Sequence, residues 1–237
     1  MYEFPYHYIP HFDASGCGQR FRTLSWGLIY LCYQKHIMNL VAAMQPSSLL
    51  EAGCGDGFFV GSMKSVANRL GADMSEASLR FARAFHPEVE FYCGDIADIG
   101  ESYDVVVAIE VLEHVPDEQV GRFLRSLANR TNEAGKLLIC VPTKVLPLVR
   151  KHYRHYDIEL LRSQIDDADV QLKMESVQYI YRSSIWIKLY NRLTINKLWY
   201  FDPVFLRSVI WKYIWNRLRI ADAGTGEHMV AILEKTE

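Results

Sequence analysis

Short apolar runs alternate with amphipathic segments between residues 47 and 141. The run YDVVVAIEV is apolar on both faces, as a buried parallel strand requires. Four further runs read as strands: SLLEAG, NRLGADMS, VEFYCGD and KLLICVP. Helices are predicted between them, from about Phe58 to Asn68, over EASLRFARAF behind an N-cap at Ser75, and over DEQVGRFLRSLANR. This alternation predicts an α/β fold with a doubly wound sheet and right-handed crossovers.

The pattern differs on either side of this region. After Pro142, DIELLRSQIDDAD predicts a helix, and VQLKMESVQYIY and EHMVAILEKT predict the last two strands. Ahead of the region, LSWGLIYLCYQKHIMNLVAAM reads as a helix. We therefore expect three parts: an N-terminal aromatic and helical extension at residues 1–46, a domain at 47–181 and 227–237, and a helical insertion between the last two strands at 182–226.

The composition is that of a globular protein. Half of the 237 residues are hydrophobic, 23% are charged, and the formal net charge of −2 indicates no general affinity for nucleic acid. The five cysteines form no C-x-x-C pair, which favours reduced thiols over disulfides or a zinc site. The first residues, MYEFPYHYIPHFD, lack the basic-then-apolar order of a secretion signal, and no apolar run reaches the ~18 residues that span a bilayer. We expect a cytoplasmic location.

Three glycines in five positions follow the first predicted strand, in the segment SSLLEAGCGDGFFVGSMKS. A phosphate, a nicotinamide dinucleotide and a sulfonium nucleoside are the candidate ligands of such a loop. Phe58 and Phe59 replace the Lys and Ser or Thr of a P-loop, and G-x-G-x-G departs from the dinucleotide pattern G-x-G-x-x-G. Glu51 and Asp56 would repel a pyrophosphate and suit a cationic ligand. The loop favours S-adenosylmethionine, and a nicotinamide-dependent oxidoreductase stays the alternative.

Two further acids follow the next predicted strands. Asp73 closes the second strand, ~20 residues past the glycines, where a carboxylate can accept both hydroxyls of a ribose. Asp95 follows the third strand in CGDIAD, where it can reach the exocyclic amine of an adenine. Simpler roles remain open for both residues, with Asp73 as a helix cap and Asp95 as a loop-capping acid.

These segments together resemble the class I S-adenosylmethionine-dependent methyltransferases, and most of all the branch that includes the ubiquinone-biosynthesis O-methyltransferases and sugar methyltransferases. The similar segments are LLEAGCGDGFF, GADMSEASLRFAR, GDIADI, YDVVVAIEVLEHVPD and EAGKLLICVP. The resemblance covers about residues 47 to 180. It implies a seven-stranded sheet in the order 3-2-1-4-5-7-6, with the last strand antiparallel.

The resemblance also assigns residues to the cofactor. It implies that the glycine loop lines the methionine part of S-adenosyl-L-methionine, that Asp73 holds the ribose, and that Met74 packs on the adenine. The residues assigned in this way are Glu51, Ala52, Gly53, Cys54, Gly55, Asp56, Asp73, Met74, Asp95, Ile96, Glu110 and Val111. Glu51 stands where Asp is commoner in the family, which keeps the charge and lengthens the side chain.

Methyl transfer to a hydroxyl needs alignment and usually a base. His114 lies at the end of the fourth strand and His155 lies in RKHYRHYD after the fifth, and these two are the predicted catalytic residues. Capping or bracing of the following loop is the alternative role for His114. His152 and His155 have either a role towards the substrate or a place in a solvated loop or at a helix N-terminus. No carboxylate-histidine cluster shows ligand spacing, so no metal is expected. The N-terminal segment holds further candidates for a lid or for packing: Tyr6, His7, Tyr8 and His11.

Residues 182–220 form a basic and aromatic block. The block carries eight Lys or Arg residues against one acid, Asp202, and it holds four of the five tryptophans. Three explanations stay open: a cap over the acceptor, a peripheral contact with a membrane surface that presents a lipid-linked or anionic substrate, and a homodimer interface.

The function predicted from the sequence is methyl transfer from S-adenosyl-L-methionine to a hydroxyl of a small molecule, sugar or lipid-linked glycan, with S-adenosyl-L-homocysteine as the product. Two alternatives keep the same cofactor site: N-methylation of an amino sugar or small amine, and a cofactor-binding protein without turnover. The membrane explanation of the basic block would place the chain at the inner face of the membrane.

Overall fold

The computed structural model describes residues 6–19, 26–195, 199–201 and 203–236. Within these residues eight strands form one sheet, in the order β3-β2-β1-β4-β5-β8-β6-β7. The strands are β1 (Ser48–Ala52), β2 (Asn68–Asp73), β3 (Glu90–Cys93), β4 (Tyr103–Ile109), β5 (Thr131–Pro142), β6 (Leu172–Arg182), β7 (Ile220–Ala221) and β8 (Gly226–Lys235). The helices are α1 (Gly27–Met44), α2 (Phe58–Ser62), α3 (Glu76–Phe85), α4 (Asp117–Arg130), α5 (Ile158–Asp167), α6 (Ile185–Thr194) and α7 (Val204–Tyr213). Shorter helical turns lie at Tyr6–Tyr8, Ile96–Asp98, Leu112–His114 and Ile214–Leu218.

The sheet has the topology that the sequence predicts, with one strand more. Strands β1 to β5 pair in parallel, whereas β8 pairs antiparallel with both β5 and β6. With β8 counted as the seventh strand, the order is the predicted 3-2-1-4-5-7-6. The additional strand β7 pairs with Tyr179 and Ile180 of β6 at the outer edge.

Strand β4 lies between two apolar cores, which explains why it is apolar on both faces. Val105, Val107 and Ile109 pack in the core that contains α1. The alternate residues Val106 and Ala108 pack in the core that contains α4 and α5. This burial fixes the register of β4 and brings its C-terminal end beside the ends of β1 and β2. Doubly wound folds bind their ligands at this edge of the sheet.

The helix after the glycine loop is shorter than predicted. The sequence predicts a helix from Phe58 to about Asn68, but α2 ends at Ser62 and an irregular segment leads to β2. Gly61 disfavours a longer helix, because glycine loses more backbone entropy than other residues. Gly61 also lies against the imidazole of His86, and a Cβ at this position would overlap the ring. The glycine that this close contact with the end of α3 requires therefore favours an early end of α2.

Helices α6 and α7 lie between β6 and β8, where the sequence predicts a helical insertion. One side chain of each helix is buried in the core that contains α1, Ile187 of α6 and Trp211 of α7. Ile214 and Leu218 of the turn after α7 are buried in the same core. Lys197 and Asp202 of the basic block lie outside the described residues. Among the described residues, no helix is long and apolar enough to cross a membrane.

Candidate active site

A crevice at the ends of β1, β2 and β4 holds two adjoining cavities. The first cavity has a volume of about 370 Å³ and extends towards α4. The second cavity has a volume of about 440 Å³ and extends towards α1 and α2. Four residues line both cavities: Gly53, Asp73, Val111 and His114. The two cavities therefore meet at the glycine loop and at the end of β4.

The glycine loop leaves space that other residues would fill. Gly53 has a φ of +75°, and a Cβ at this position would overlap Cγ2 of Val111. Gly55 has a φ of +55°, and no described atom lies within 4 Å of the position of a Cβ. Gly53 and Cys54 donate their backbone N–H groups to the carbonyl of Ala72, which holds the loop on β2. The loop is thus fixed on one side and open to the second cavity on the other.

Two buried acids flank this loop. Oε2 of Glu51 accepts a 2.9 Å hydrogen bond from the N–H of Val60 in α2. Burial, and then the charges of Asp56 and Asp73, raise the pKa of Glu51 well above its ordinary value. Asp56 is also buried, and its Oδ2 lies 3.3 Å from Nδ1 of His7. A cation bound at this loop would favour the ionised form of these acids, so the loop suits a cationic ligand.

The carboxylate of Asp73 connects the glycine loop to the start of α3. Its Oδ2 accepts a 2.9 Å hydrogen bond from the N–H of Gly55, and its Oδ1 accepts a 2.8 Å bond from the N–H of Ser75. Ser75 in turn caps α3 by accepting from the N–H of Ser78. A carboxylate offers about four acceptor positions, so both oxygens of Asp73 can accept further bonds from ligand hydroxyls.

Asp95 lies at the first cavity with an ion partner that the sequence analysis does not identify. Its Oδ2 is 2.7 Å from Nη2 of Arg122 in α4, and its Oδ1 accepts a hydrogen bond from the N–H of Ala97. Ile96 is buried behind it, and Met74 is 74% exposed at the same cavity. The first cavity therefore has apolar walls and a charged rim formed by Asp95 and Arg122.

Glu110 directly follows β4 and has a backbone conformation that is rare for residues other than glycine. Its φ is +56°, and its N–H donates a 2.9 Å hydrogen bond to the carbonyl of Cys140. Such a left-handed conformation costs about 1–3 kcal/mol and is typical of functional sites. Oε2 of Glu110 lies 3.5 Å from Nε2 of His228 in β8. The sequence does not connect these two residues, since only the antiparallel insertion of β8 beside β5 brings them together.

Eleven of the twelve residues assigned to the cofactor line one of the two cavities. The exception is Ala52, which is buried at the end of β1. Cys54 lines the second cavity, and burial raises the pKa of its thiol well above the ordinary value. The structure thus brings together residues that are spread over sixty positions of the chain.

The two predicted catalytic histidines occupy different positions. His114 lines both cavities, and its side chain is 45% exposed. His155 is buried and is not among the described residues that line either cavity. Instead, Nε2 of His155 lies 2.9 Å from Nδ1 of His152, whose ring packs edge-on against His114. Among the described residues, the link from His155 to the crevice therefore runs through His152 and then His114.

Glu113 is a functional candidate that the sequence does not reveal, and it lies beside His114 and His152. Glu113 is fully buried, and neither of its carboxylate oxygens has a hydrogen-bond partner among the described residues. Burial, and then the charge of Glu110, raise the pKa of Glu113 well above its ordinary value. Burial, and then His114 and His155, lower the pKa of His152. The only available sequence signal for Glu113 is its position directly before His114.

Glu113, His114 and His152 each offer one ligand atom within 4.8 Å of the others. We call these three residues the acid-histidine cluster. The sequence shows no ligand spacing because His152 belongs to the segment after β5, whereas the other two follow β4. The N–H of Tyr153, which donates a 2.8 Å hydrogen bond to the carbonyl of Glu113, holds the two segments together.

Comparison with protein families identifies the class of the protein. The profile of a family described as "Methyltransferase domain" matches residues 30–200. The chain therefore belongs to this methyltransferase family. The resemblance to class I S-adenosylmethionine-dependent methyltransferases that the sequence motifs predict is confirmed.

Individual relatives and structures agree with this class. A protein named "Probable S-adenosylmethionine-dependent methyltransferase" from Mycolicibacterium smegmatis is 33% identical over 136 residues, which cover 53% of this chain and 52% of that protein. A ubiquinone biosynthesis O-methyltransferase of Neisseria meningitidis is 32% identical over 114 residues, which cover 44% and 47%. The chain thus spans about half the length of the curated relatives that it matches. Magnesium protoporphyrin IX methyltransferase from Synechocystis, with bound SAH, shares the fold at a TM-score of 0.59 and 16% identity, over 93% of this chain and 90% of that one.

S-adenosylmethionine is the cofactor of this class, and the residues of the crevice fit it. The open space at Gly55 admits a ligand close to the backbone, and the buried acids Glu51 and Asp56 flank the same loop, which suits the cationic sulfur of this cofactor. The carboxylate of Asp73 has acceptor positions left for a ribose. The apolar first cavity beside Ile96 suits an adenine.

Proposed function

We propose that the chain transfers the methyl group of S-adenosylmethionine to a hydroxyl oxygen of a small acceptor that binds in the second cavity. The observation that carries this proposal is the position of His114, whose imidazole lines both the first and the second cavity. When bound, the cofactor supplies a methyl group on a positively charged sulfur. The ubiquinone biosynthesis O-methyltransferase among the relatives supports oxygen as the acceptor atom.

In this proposal the cofactor extends across both cavities. The glycine loop from Gly53 to Gly55, with Glu51 below it, borders the methionine part. Asp73 accepts hydrogen bonds from the ribose hydroxyls, and Asp95 with Ile96 borders the adenine. The acidic surroundings of the loop stabilise the cationic form of the ligand more than its neutral product.

The second cavity favours an acceptor that has a ring and several hydroxyls. On the side of α1 and α2 its walls consist of four aromatic side chains and one amide side chain. The residues concerned are Tyr30, Tyr33, Phe58, Phe59 and Gln34. Oε1 of Gln34 is buried and has no hydrogen-bond partner among the described residues, so it can accept a bond from a hydroxyl of the acceptor. A phenol or a sugar satisfies these walls.

We assign removal of the hydroxyl proton to the acid-histidine cluster. Nδ1 of His114 lies 3.0 Å from the carbonyl of Lys151, which can only accept, so this nitrogen carries the proton. Nε2 of a neutral His114 therefore keeps its lone pair. Glu110 lines the same cavity, and its carboxylate would stabilise the imidazolium that forms when His114 takes the proton.

We further propose that α6 and α7 contact an anionic membrane surface that presents a lipid-linked acceptor. Exposed apolar side chains of this part of the chain are Ile185, Trp186, Leu189, Leu193, Phe201, Phe205 and Val209. Exposed cations lie among them at Lys188, Arg192 and Lys212. Aromatic and aliphatic groups beside Lys and Arg are typical of helices that lie in the headgroup region of a bilayer.

Helix α1 connects this surface to the second cavity. Tyr33 and Gln34 line the cavity, and the neighbouring Lys35 extends its ammonium group to 5.8 Å from the ring of Trp211. His36 lies 2.9 Å from Nη1 of Arg219. An acceptor bound near α1 would thus lie on the side of the sheet that carries α6 and α7.

The proposed function is tested with methyl-labelled S-adenosylmethionine and a panel of phenols, sugars, lipid-linked sugars and amines. We expect label in the product with a hydroxyl acceptor and tight binding of S-adenosylhomocysteine in a calorimeter. Label transfer only to amines would replace oxygen by nitrogen as the acceptor atom. Binding of NADH in place of S-adenosylhomocysteine would overturn the assignment.

A further inference from the structure

The imidazoles of the acid-histidine cluster both present a lone pair at Nε2. Nδ1 of His155 lies 3.0 Å from the carbonyl of Leu146, so this nitrogen donates and Nε2 of His155 accepts. The 2.9 Å contact between the two rings then requires Nδ1 of His152 to donate to Nε2 of His155. The carbonyl of Lys151 fixes His114 in the same tautomer. The Nε2 atoms of His114 and His152 are therefore the two imidazole acceptors that stay available in the cluster.

Glu113 is the third group, and it has no evident structural role. Its side chain is fully buried, and neither oxygen has a hydrogen-bond partner in the described part of the chain. A buried carboxyl group without partners destabilises the folded state unless a ligand or ion satisfies it. Oε1 of Glu113 lies 3.9 Å from Nε2 of His114. The charge of Glu110 raises the pKa of Glu113, whereas the charge of Arg154 lowers it.

We propose that the acid-histidine cluster binds a divalent transition-metal ion of the zinc class through Glu113 and the Nε2 atoms of His114 and His152. A carboxylate and two neutral imidazoles are a ligand set that zinc sites use when a fourth position stays open for water or substrate. In a tetrahedral site with bonds of about 2.0–2.1 Å, donor atoms lie ~3.3 Å apart, so small side-chain rotations suffice for binding. Imidazole ligands favour zinc, iron or cobalt over magnesium.

Backbone carbonyls and His155 form the outer partners that such a site needs. Histidine ligands almost always donate their second nitrogen to a carbonyl, a carboxylate or another fixed acceptor. Here the carbonyl of Lys151 serves His114, and His155 serves His152 and is itself held by the carbonyl of Leu146. This arrangement gives His155 a positioning role through His152.

The open position of the ion faces the second cavity, since His114 lines that cavity. This role of the ion rests on the proposed function. A hydroxyl bound to the cation loses its proton more easily, because the cation stabilises the alkoxide. The proton passes to the carboxylate of Glu110, which borders the same cavity. The ion would then replace His114 as the group that activates the hydroxyl.

Metal binding is tested with tag-free protein that has been dialysed against a chelator. We expect a single tight Zn²⁺ site in competition with a chromophoric chelator, and visible absorption bands of a low-symmetry site when Co²⁺ is bound. Mg²⁺ in excess should displace neither ion. Protein that binds no Zn²⁺ more tightly than a surface-histidine control would overturn the proposal.

Variants test whether Zn²⁺ binds at the acid-histidine cluster or at other histidines of the chain. Glu113→Gln and His152→Ala should each weaken Zn²⁺ binding by more than about 100-fold, and His155→Phe, which removes an outer partner, by about 10–100-fold. His11→Ala changes an exposed histidine outside the cluster and should leave binding unchanged. Thermal unfolding of each variant checks that the fold is intact. Equal Zn²⁺ affinity in His152→Ala and the wild-type chain would contradict the proposed ligand set.

The same samples distinguish this inference from the proposed function. S-adenosylhomocysteine should bind the metal-free chain with unchanged affinity, because its proposed contacts involve the glycine loop and Asp73. Methyl transfer that persists in a chelator would leave the proposed function intact and exclude the ion from catalysis. Loss of S-adenosylhomocysteine binding in the wild-type chain would instead reject the proposed function, whatever the metal content.

Discussion

The N–H of Gly55 donates a 2.9 Å hydrogen bond to Oδ2 of Asp73, which joins the loop after β1 to the end of β2. The same carboxylate is the proposed partner of the ribose hydroxyls. A single side chain therefore both shapes the glycine loop and contacts the ligand that the loop admits. Removal of this carboxylate should affect cofactor binding more than it affects the fold.

For Asp73→Ala we expect S-adenosylhomocysteine binding to weaken by about 1–3 kcal/mol, since hydrogen bonds to a charged group are lost. Titration calorimetry measures the change. Glu76→Ala is the matched control, because Glu76 is an exposed acid three residues away that pairs with Arg83 and lines neither cavity. Equal affinities of the two variants would exclude Asp73 from the cofactor site.

Gly53→Ala and Gly55→Ala should differ although both glycines have positive φ. A left-handed alanine costs ~1–2 kcal/mol at either position. At Gly53 the new Cβ also overlaps Val111, whereas at Gly55 it enters open space. Urea unfolding should therefore show a larger loss of stability for Gly53→Ala, by at least about 1 kcal/mol.

The double variant Gly53→Ala with Val111→Ala tests the steric part of this argument. The smaller side chain at position 111 removes the overlap but not the backbone strain. Stability should recover to about the level of Gly55→Ala. A double variant no more stable than Gly53→Ala would mean that the contact with Val111 is not the cause.

The topology of the sheet could be predicted because it depends on local patterns. Each strand is a short apolar run between turn residues, and the motif order fixes the strand order by resemblance. Helix α2 was predicted too long because the contact of Gly61 with His86 arises from another element. β7 could not be predicted because it has only two residues and is defined by its pairing with the edge of β6.

The candidate site also has a part that the sequence predicts and a part that it does not. The cofactor residues were predictable, since they lie on successive strand ends with characteristic spacing. The acid-histidine cluster was not, because His152 meets Glu113 only after Tyr153 and Arg154 bond to the loop that follows β4. The ion pair of Asp95 was missed for a similar reason, since Arg122 reads as an exposed helix residue.

Asp104 should make stability depend on pH in the acid range. Its carboxylate accepts hydrogen bonds from Ser47, Ser48 and Asn132, and these lower the pKa of Asp104 to about 2 from 3.8. Because the pKa is lower in the folded state, the stabilisation is complete above pH ~4 and is lost as the pH falls towards 2. We expect a contribution of about 1 kcal/mol after solvent screening.

Urea unfolding of the wild-type chain and Asp104→Asn at several pH values measures this contribution. The difference in unfolding free energy between the two should shrink as the pH falls from 5 to 2. Asp98→Asn, an exposed acid in the turn after β3, serves as the control. A difference that stays constant with pH would contradict a lowered pKa for Asp104.

The exposed face of α6 should bind vesicles that contain anionic lipid. Lys188→Gln and Arg192→Gln each remove a cation, worth roughly 1 kcal/mol near such a surface, and should weaken sedimentation with phosphatidylglycerol vesicles about fivefold. Added salt should weaken the wild-type interaction as well. Trp186→Glu tests the apolar part, and Leu148→Glu, at a similarly exposed apolar residue outside the block, is its control.

The competing explanations of the basic block give different results in these assays. A homodimer interface predicts that Trp186→Glu changes the sedimentation velocity of the chain without lipid. A cap over the acceptor predicts that the variant changes KM for a water-soluble acceptor. Vesicle binding that is independent of both charge and Trp186 would reject the membrane proposal.

Substitution of His114 should affect turnover but not cofactor binding. It lines both cavities, and in either proposed role, as base or as metal ligand, it acts on the acceptor hydroxyl. His114→Ala should therefore lower kcat by about 10²–10⁴-fold, the usual contribution of such a group. The affinity for S-adenosylhomocysteine should change little, because the proposed cofactor contacts come from Asp73 and the glycine loop. Excess imidazole could restore part of the rate only if His114 acts as a base, whereas Zn²⁺ binding would fall only if it is a ligand. Unchanged turnover would exclude His114 from the chemistry and leave the hydroxyl proton without an assigned acceptor at the place where the two cavities meet.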